Sequence, residues 1–220
     1  MRRTKLSEKF SALVIIAAVL IVLGFTCELP PRTDRHLHET IGKVLARQAL
    51  DLTDPAGQII IITRDTEAFP QPAIDILLAS FQKEVRRVRA HISRVQRIQV
   101  DPLRPVEVPS GDFFELMRRA PIGCVIVSFL GPPLLSEQQV AQIAPNKPKV
   151  VAFCSGTSAE MIDLARLFDN GLLHAAVISR PVASIRAARP QKVPTSFDDL
   201  YVSVTASNRA QLRFEAASAF

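Results

Sequence analysis

A chain of 220 residues, 48% hydrophobic and 22% charged, has apolar content for one sizeable core and hardly two, which excludes a wholly disordered protein. Its net charge of +6 is unevenly placed, because Arg2, Arg3, Lys5 and Lys9, offset by Glu8, supply +3 of it ahead of an apolar run. The remaining +3 is a weak footprint for nucleic acid. Arg86, Arg87, Arg89, Arg94 and Arg97 cluster, but no aromatic residue interleaves them, so no nucleic-acid partner is expected.

Phe10 to Cys27 is a stretch of eighteen residues without a charge. As a helix rising ~1.5 Å per residue it would cover about 27 Å, close to the hydrocarbon thickness of a bilayer. The expectation is a cytoplasmic stub and a transmembrane anchor within residues 1–27, the anchor being 10–27. The basic N-terminus would stay in the cytoplasm and place everything after Cys27 outside it, as a single-pass protein of the cell membrane. A cleaved signal peptide is the alternative, since a basic start and an apolar centre fit both. Its cleavage signal is poor, with Thr26 rather than Ala or Gly before Cys27.

Residues 28–57 read as a spacer stiffened by Pro30 and Pro31, then an amphipathic helix to about Leu52 carried by Leu37, Ile41, Val44, Leu45 and Ala49. Asp54-Pro55-Ala56-Gly57 is a turn. Gln58 to Thr63 is the most apolar run beyond the N-terminal one and is expected to be the central strand. Pro72 suits the first position of the next helix. That helix should bury Ile74, Leu77, Leu78, Phe81, Val85 and Val88 while Lys83, Arg86, Arg87 and Arg89 face water.

Ile92 to Val100 is a more polar strand and so lies nearer an edge. A loop with Pro102, Pro105 and Pro109 leads to a short helix from Ser110-Gly111-Asp112 to Arg119. Two nearly continuous apolar runs follow, Cys124 to Phe129 and Lys149 to Cys154, separated by a helix-length segment. Strands without a polar face are buried on both sides, as a parallel sheet requires. Thr157 to Glu160 has capping-box spacing and opens a helix through Met161, Leu164, Ala165 and Phe168, closed by Asn170-Gly171. Leu173 to Ser179 is a strand, 180–196 is irregular, Leu200 to Thr205 is a last strand, and 206–220 is a tail.

The predicted class is α/β: a three-layer sandwich over 58–205 with a mostly parallel sheet of five to six strands and right-handed crossovers. Leu130-Gly131-Pro132, Ser136-Glu137 and Lys147 to Phe153 resemble part of the amino-terminal lobe of type I periplasmic binding proteins, over about forty residues. In that family a strand ends in a Gly-Pro turn, a Ser opens the next helix, and a Pro precedes a strand running to a Ser/Thr-rich ligand loop. The resemblance implies that Ser155, Gly156, Thr157 and Ser158 form that loop here. It also implies one lobe where a complete binding protein has two, so that docking becomes as plausible as ligand trapping.

Ligands of an open parallel sheet bind beyond the carboxyl ends of its strands, where strand order reverses. The residues expected there are Thr63, Arg64, Asp65 and Thr66, then Ser128, then Ser155, Gly156, Thr157 and Ser158, and finally Ser179 with Arg180. Hydroxyls and backbone N–H groups at a helix start suit a carboxylate or phosphate, and Arg64 or Arg180 could add a bidentate contact. The plainer alternative has the hydroxyls capping helices and Arg64-Asp65 pairing on the surface.

Cys154, between a strand end and a helix start, is the alternative as a catalytic nucleophile, although a phosphatase-type loop would want Arg where Glu160 stands. A Cys124–Cys154 disulfide is not expected, since the two begin and end parallel neighbours about 16 Å apart. His36 and His38 are two apart on a helix and point in different directions, so no metal site is expected. Without a Walker loop, Gly-x-Gly-x-x-Gly, Cys-x-x-Cys or Gly-x-Ser-x-Gly, no cofactor is expected either. The function anticipated is a membrane-anchored binding or assembly module, more readily than an enzyme. It would dock a cell-envelope protein or a small anionic ligand at the carboxyl edge. The alternatives are a hydrolase or transferase using Cys154 or the Ser155–Ser158 loop, and a cleaved, secreted substrate-binding protein.

Overall fold

The structure, a computed structural model, describes residues 33–67, 69–100, 107–143, 147–156, 161–181 and 196–209. All elements belong to the second of two compact units, Asp34–Phe220. The anticipated anchor, the Thr157–Glu160 capping box, Pro102, Pro105 and most of the irregular segment lie outside the described residues. Among those that are described, no helix is long and apolar enough to cross a membrane.

Twelve described elements alternate along the chain. They are α1 (Arg35–Leu52), β1 (Gln58–Arg64), α2 (Pro72–Arg87), β2 (His91–Ile98), α3 (Ser110–Arg119) and β3 (Val125–Ser128). Then come α4 (Glu137–Gln142), β4 (Lys149–Cys154), α5 (Leu164–Asp169), β5 (Ala175–Ser179), α6 (Phe197–Leu200) and β6 (Tyr201–Thr205). The sheet has six strands in the order β2-β1-β3-β4-β5-β6, all parallel except β6, which runs antiparallel to β5. The class is therefore α/β with a six-stranded, mostly parallel sheet, as the apolar runs indicated.

Alternation within each strand sorts the core into two halves. Ile59, Ile61, Val125, Val127, Val151 and Val177 pack with Ile41, Leu45, Leu77 and Phe81 of α1 and α2. Ile60, Ile62, Ile126, Val150, Ala152 and Ile178 pack with Phe113, Met117, Leu164 and Phe168 of α3 and α5. Successive side chains on a strand point to opposite faces, so every central strand must be apolar throughout. Each of the four consecutive isoleucines of β1 is buried, a contribution of roughly 1.5–3 kcal/mol apiece.

α1 belongs to the core rather than standing outside it. It meets α2 so closely that a Cβ on Gly42 would lie 2.5 Å from the Leu77 carbonyl oxygen, and Ser80 Oγ donates to the Glu39 carbonyl across the same contact at 2.8 Å. Asp34 caps α1 by accepting the Leu37 N–H at 3.0 Å. Both α1 and α2 start at the carboxyl edge of the sheet and descend to its amino edge. There Lys149 Nζ, at the start of β4, donates to the Leu52 carbonyl at 2.8 Å and pairs with Asp54 at 3.0 Å.

Four expectations need correction. β1 is not central: it stands between β2 and β3, and the centre is β3 and β4. Apolarity reports burial on both faces, which β1 shares with every inner strand. Val88 is 58% exposed, because α2 ends at Arg87 and the chain turns out through Arg89 at φ 59°. Met161 is 75% exposed, since the described helix begins later, at Leu164, with Asp163 accepting the Arg166 N–H at 3.0 Å. Finally, the four-residue helix α6 stands just before β6, too short to show any periodicity in sequence.

Candidate functional site

Strand order turns at β1. The connection through α2 leads outward to β2 on one face, and the connection through α3 leads back past β1 to β3 on the other. The loops after β1 and β3 therefore part company, leaving the crevice where open α/β sheets hold ligands. Its walls are fixed by the ladder: Ile62 stands opposite Ser128, the Phe129 N–H bonds to the Ile62 carbonyl at 2.9 Å, and the Asp65 N–H bonds to the Ile98 carbonyl at 2.8 Å.

At the end of β1, Arg64 is only 7% exposed, and among the described residues its guanidinium has neither a hydrogen bond nor an ion pair. The surface pairing with Asp65 does not form; Asp65 instead accepts the Glu67 N–H at 3.1 Å. Thr63 is 1% exposed and its buried hydroxyl has no partner. Arg64 shares the α3 face with Ile62 and the fully buried Ser128, whereas Thr63 leaves the strand on the α1 and α2 face. The two thus flank the strand end. Thr66 Oγ1 donates to Asp75 at 3.1 Å and ties this loop to the first turn of α2.

The other expected residues are partly committed. Ser128 Oγ accepts the Leu130 N–H at 3.3 Å, and the chain then turns through Gly131 at φ 100°. The short helix α4 opens with a full capping box between Ser136 and Gln139. Ser155 and Gly156 are exposed after β4, and Ser179 Oγ donates to the Gly156 carbonyl at 3.4 Å, joining the ends of β4 and β5. Thr157 and Ser158 lie outside the described residues. Arg180 donates from Nε to the Asp198 carbonyl at 3.1 Å and its N–H to the Leu200 carbonyl at 2.8 Å, which holds β5 to α6 and β6. Phe69, 56% exposed in the loop after β1, and Met161 after β4 add apolar surface to the same edge.

The thiol of Cys154 is buried in the α3 and α5 half of the core, and burial pushes its pKa up to about 12. The sulfur is therefore a thiol at neutral pH, the reverse of what a nucleophile needs. Cys124 is buried too, at the opposite end of its strand, and both are free. Burial likewise raises the Cys124 pKa, to about 11. His174, which precedes β5 at the amino edge, stands a sheet-height away from Cys154.

No protein-family model matches the chain, and no curated protein matches it in sequence. Solved structures do match. A carbohydrate-transporter solute-binding protein from Agrobacterium radiobacter, in complex with D-arabinose, is 15% identical with a TM-score of 0.51 over 81% of this chain and 62% of that one. A periplasmic ribose ABC transporter from Conexibacter woesei is 16% identical with a TM-score of 0.54 over 82% of this chain and 61% of that one. A protein described as a LacI transcriptional regulator from Bacteroides fragilis is 11% identical with a TM-score of 0.51 over 79% and 61%.

The fold is that of the type I periplasmic binding proteins, as a single lobe. The lobe spans about three fifths of the length of these structures. What the sequence reading missed is the isolation of the Arg64 charge. An arginine following four isoleucines and a threonine was the available signal, since a strand that buried continues to exclude water at its last residue.

Proposed function

We propose that the lobe is a membrane-tethered, extracytoplasmic binding module that takes a small anionic ligand at the carboxyl edge of its sheet, with Arg64 as the charge partner. The observation that carries this is Arg64, 7% exposed at the switch point, whose guanidinium has no counter-charge or hydrogen bond among the described residues. A carboxylate or phosphate there would form a bidentate hydrogen bond with it at a site largely shielded from water. The unpartnered hydroxyl of Thr63 and the exposed Ser155 stand at the ends of β1 and β4, on either side of β3, which suits a ligand that also carries hydroxyls. The solute-binding protein from A. radiobacter holds D-arabinose, and an acid or phosphate of such a sugar combines the two requirements. The tether rests on the uncharged run at residues 10–27 and the basic residues before it.

The test is calorimetric titration of the full-length protein in detergent with phosphate, D-arabinose, its 5-phosphate and its aldonic acid, using wild type and Arg64→Met. Anions should bind wild type and lose at least tenfold in affinity in the variant. Equal binding of D-arabinose and its acid, or equal affinity in both proteins, would sink the reading. Retention in alkali-washed membranes of a chain whose intact mass includes residues 1–27 checks the tether. A second reading, a protein partner covering this edge, is favoured by the exposed Phe69 and Met161 alone.

A further inference from the structure

The sheet is finished differently on its two sides. At one, β6 closes antiparallel against β5 and is backed by α6; at the other, β2 is eight residues long and no described strand pairs with its outer side. An unpaired strand side is a row of N–H and C=O groups ready to accept another strand. Beside it lies a cavity of about 390 Å³, walled by Arg94, Gln96 and Ile98 of β2 and by Asp112, Glu115 and Arg119 of α3. Arg94, Gln96 and Ile98 are alternate positions on one face of the strand, Arg97 between them also borders the cavity, and the α3 residues share one face of the helix. A strand laid along β2 would therefore direct side chains of one face toward that cavity.

We infer that the outer side of β2 receives an extended, acidic segment of a partner protein as a seventh strand, with an acidic side chain of that segment meeting Arg94. Charge selects the occupant. On the strand itself stand Arg94 and Arg97, and Arg97 is answered by Glu67 at 3.3 Å. Arg94 has no ion pair or hydrogen bond among the described residues, although it borders the cavity. On the α3 wall, Glu115 is already held by Arg118 at 2.9 Å and Arg119 at 3.0 Å, and Asp112 has no ion pair among the described residues, which places the acidic side chain opposite Arg94 rather than against α3. The bland account is that arginines guard the strand against aggregation. It explains the charges but not a cavity with Ile62, Ile98 and Leu116 in its lining, which offers side-chain pockets beside a main-chain template. A second copy fits poorly, because two β2 strands side by side would set Arg94 and Arg97 against the same arginines.

The experiment uses the full-length protein in detergent and fluorescently labelled, terminally blocked octapeptides alternating Val with Glu or Val with Lys. Two further Val/Glu peptides carry N-methyl groups on alternate amides, one set for each side of the strand. The expected result is saturable binding of the Val/Glu peptide, at least tenfold weaker for Val/Lys and for one of the two N-methylated isomers only. Amide exchange should slow at residues 91–98 on binding. Arg94→Glu should weaken binding at least tenfold and Arg94→Lys by less, with circular dichroism confirming that both variants fold. Equal binding of both N-methylated isomers would reduce the effect to charge alone and overturn the inference. So would a dimer that protects 91–98 without peptide, or Arg94-dependent binding to phosphatidylglycerol vesicles with none to the peptides. Binding at the carboxyl edge is unaffected by any of these outcomes, so the two sites stand or fall separately.

Discussion

Val150 donates its backbone N–H to Nδ1 of His174 at 3.2 Å, and His174 returns its own N–H to the Val150 carbonyl at 2.9 Å. The pair extends the β4–β5 ladder by one step at the amino edge and fixes the neutral imidazole with its proton on Nε2. Partial burial lowers the His174 pKa below its usual value, and the charges of Lys149 and Lys147 push the same way. Protonation would set an N–H against the N–H of Val150. The folded state therefore binds the proton less readily than the unfolded chain, and stability rises with pH across this window. The stabilisation is complete above the unfolded value near 6.5 and is lost as pH falls toward the lower folded value. Urea midpoints at pH 7.5 and 5.5 should differ in wild type, with the difference smaller in His174→Gln; an equal difference in both proteins refutes the assignment.

Removing the Arg64 charge should cost the free protein no stability. Arg64→Met keeps the stem and deletes a largely shielded guanidinium that has no partner among the described residues, so the variant should be at least as stable as wild type. Thr63→Val, which removes an unpartnered buried hydroxyl at constant shape, should be neutral or stabilising by up to ~1 kcal/mol. Thermal unfolding in low-phosphate buffer checks both. Adding phosphate should then raise the melting temperature of wild type and leave Arg64→Met unmoved, because only a ligand that binds the folded state shifts the transition.

Gly42 should tolerate no side chain. Its α-carbon faces α2 at a distance that puts an added Cβ 2.5 Å from backbone, an atom that cannot swing aside. Alanine would gain about 1 kcal/mol of helix propensity, but forcing α1 from α2 costs roughly 1–3 kcal/mol and also strains the Ser80 to Glu39 hydrogen bond. Gly42→Ala should be net destabilised, by about 1–2 kcal/mol in urea. Greater stability in the variant would show that the two helices part without cost.

Cys154 should be inert while the protein is folded. With the thiol pKa raised to about 12 and the side chain sealed in the core, native protein at pH 8 should show no iodoacetamide adduct on the peptide containing Cys154 after an hour. The same peptide should be fully alkylated in urea. Cys154→Ser should cost about 1–3 kcal/mol, since a hydroxyl would be buried there without a partner.

The fold was largely legible, and the reasons are local. Ile59 to Ile62 and Val150 to Phe153 announce strands covered on both faces, and the alternating polar residues of β2 announce an outer strand. The capping box read at Thr157 to Glu160 lies outside the described residues, and the one the structure shows, between Ser136 and Gln139, was read only as a serine opening a helix. Strand order was less legible, because nothing in an apolar run says which neighbour it has; β1 looked central and is second from the side. The candidate site was legible as a set of strand ends but not as an arrangement. Arg180 proved to be held by the Asp198 carbonyl, a contact between residues eighteen apart that no spacing rule anticipates. Arg64 was named both as a candidate contact at a strand end and, in the plainer alternative, as half of a surface pair with Asp65; the pair does not form, and the residue is only 7% exposed.

The direction of α1 has a geometric corollary. Asp34, where it starts, and the first turn of α2 stand at the same end of the sheet as Arg64, while Leu52 and Asp54 stand at the other. Substitutions at either helix start are therefore the ones that reshape the carboxyl edge, and those around Leu52 act on the opposite rim.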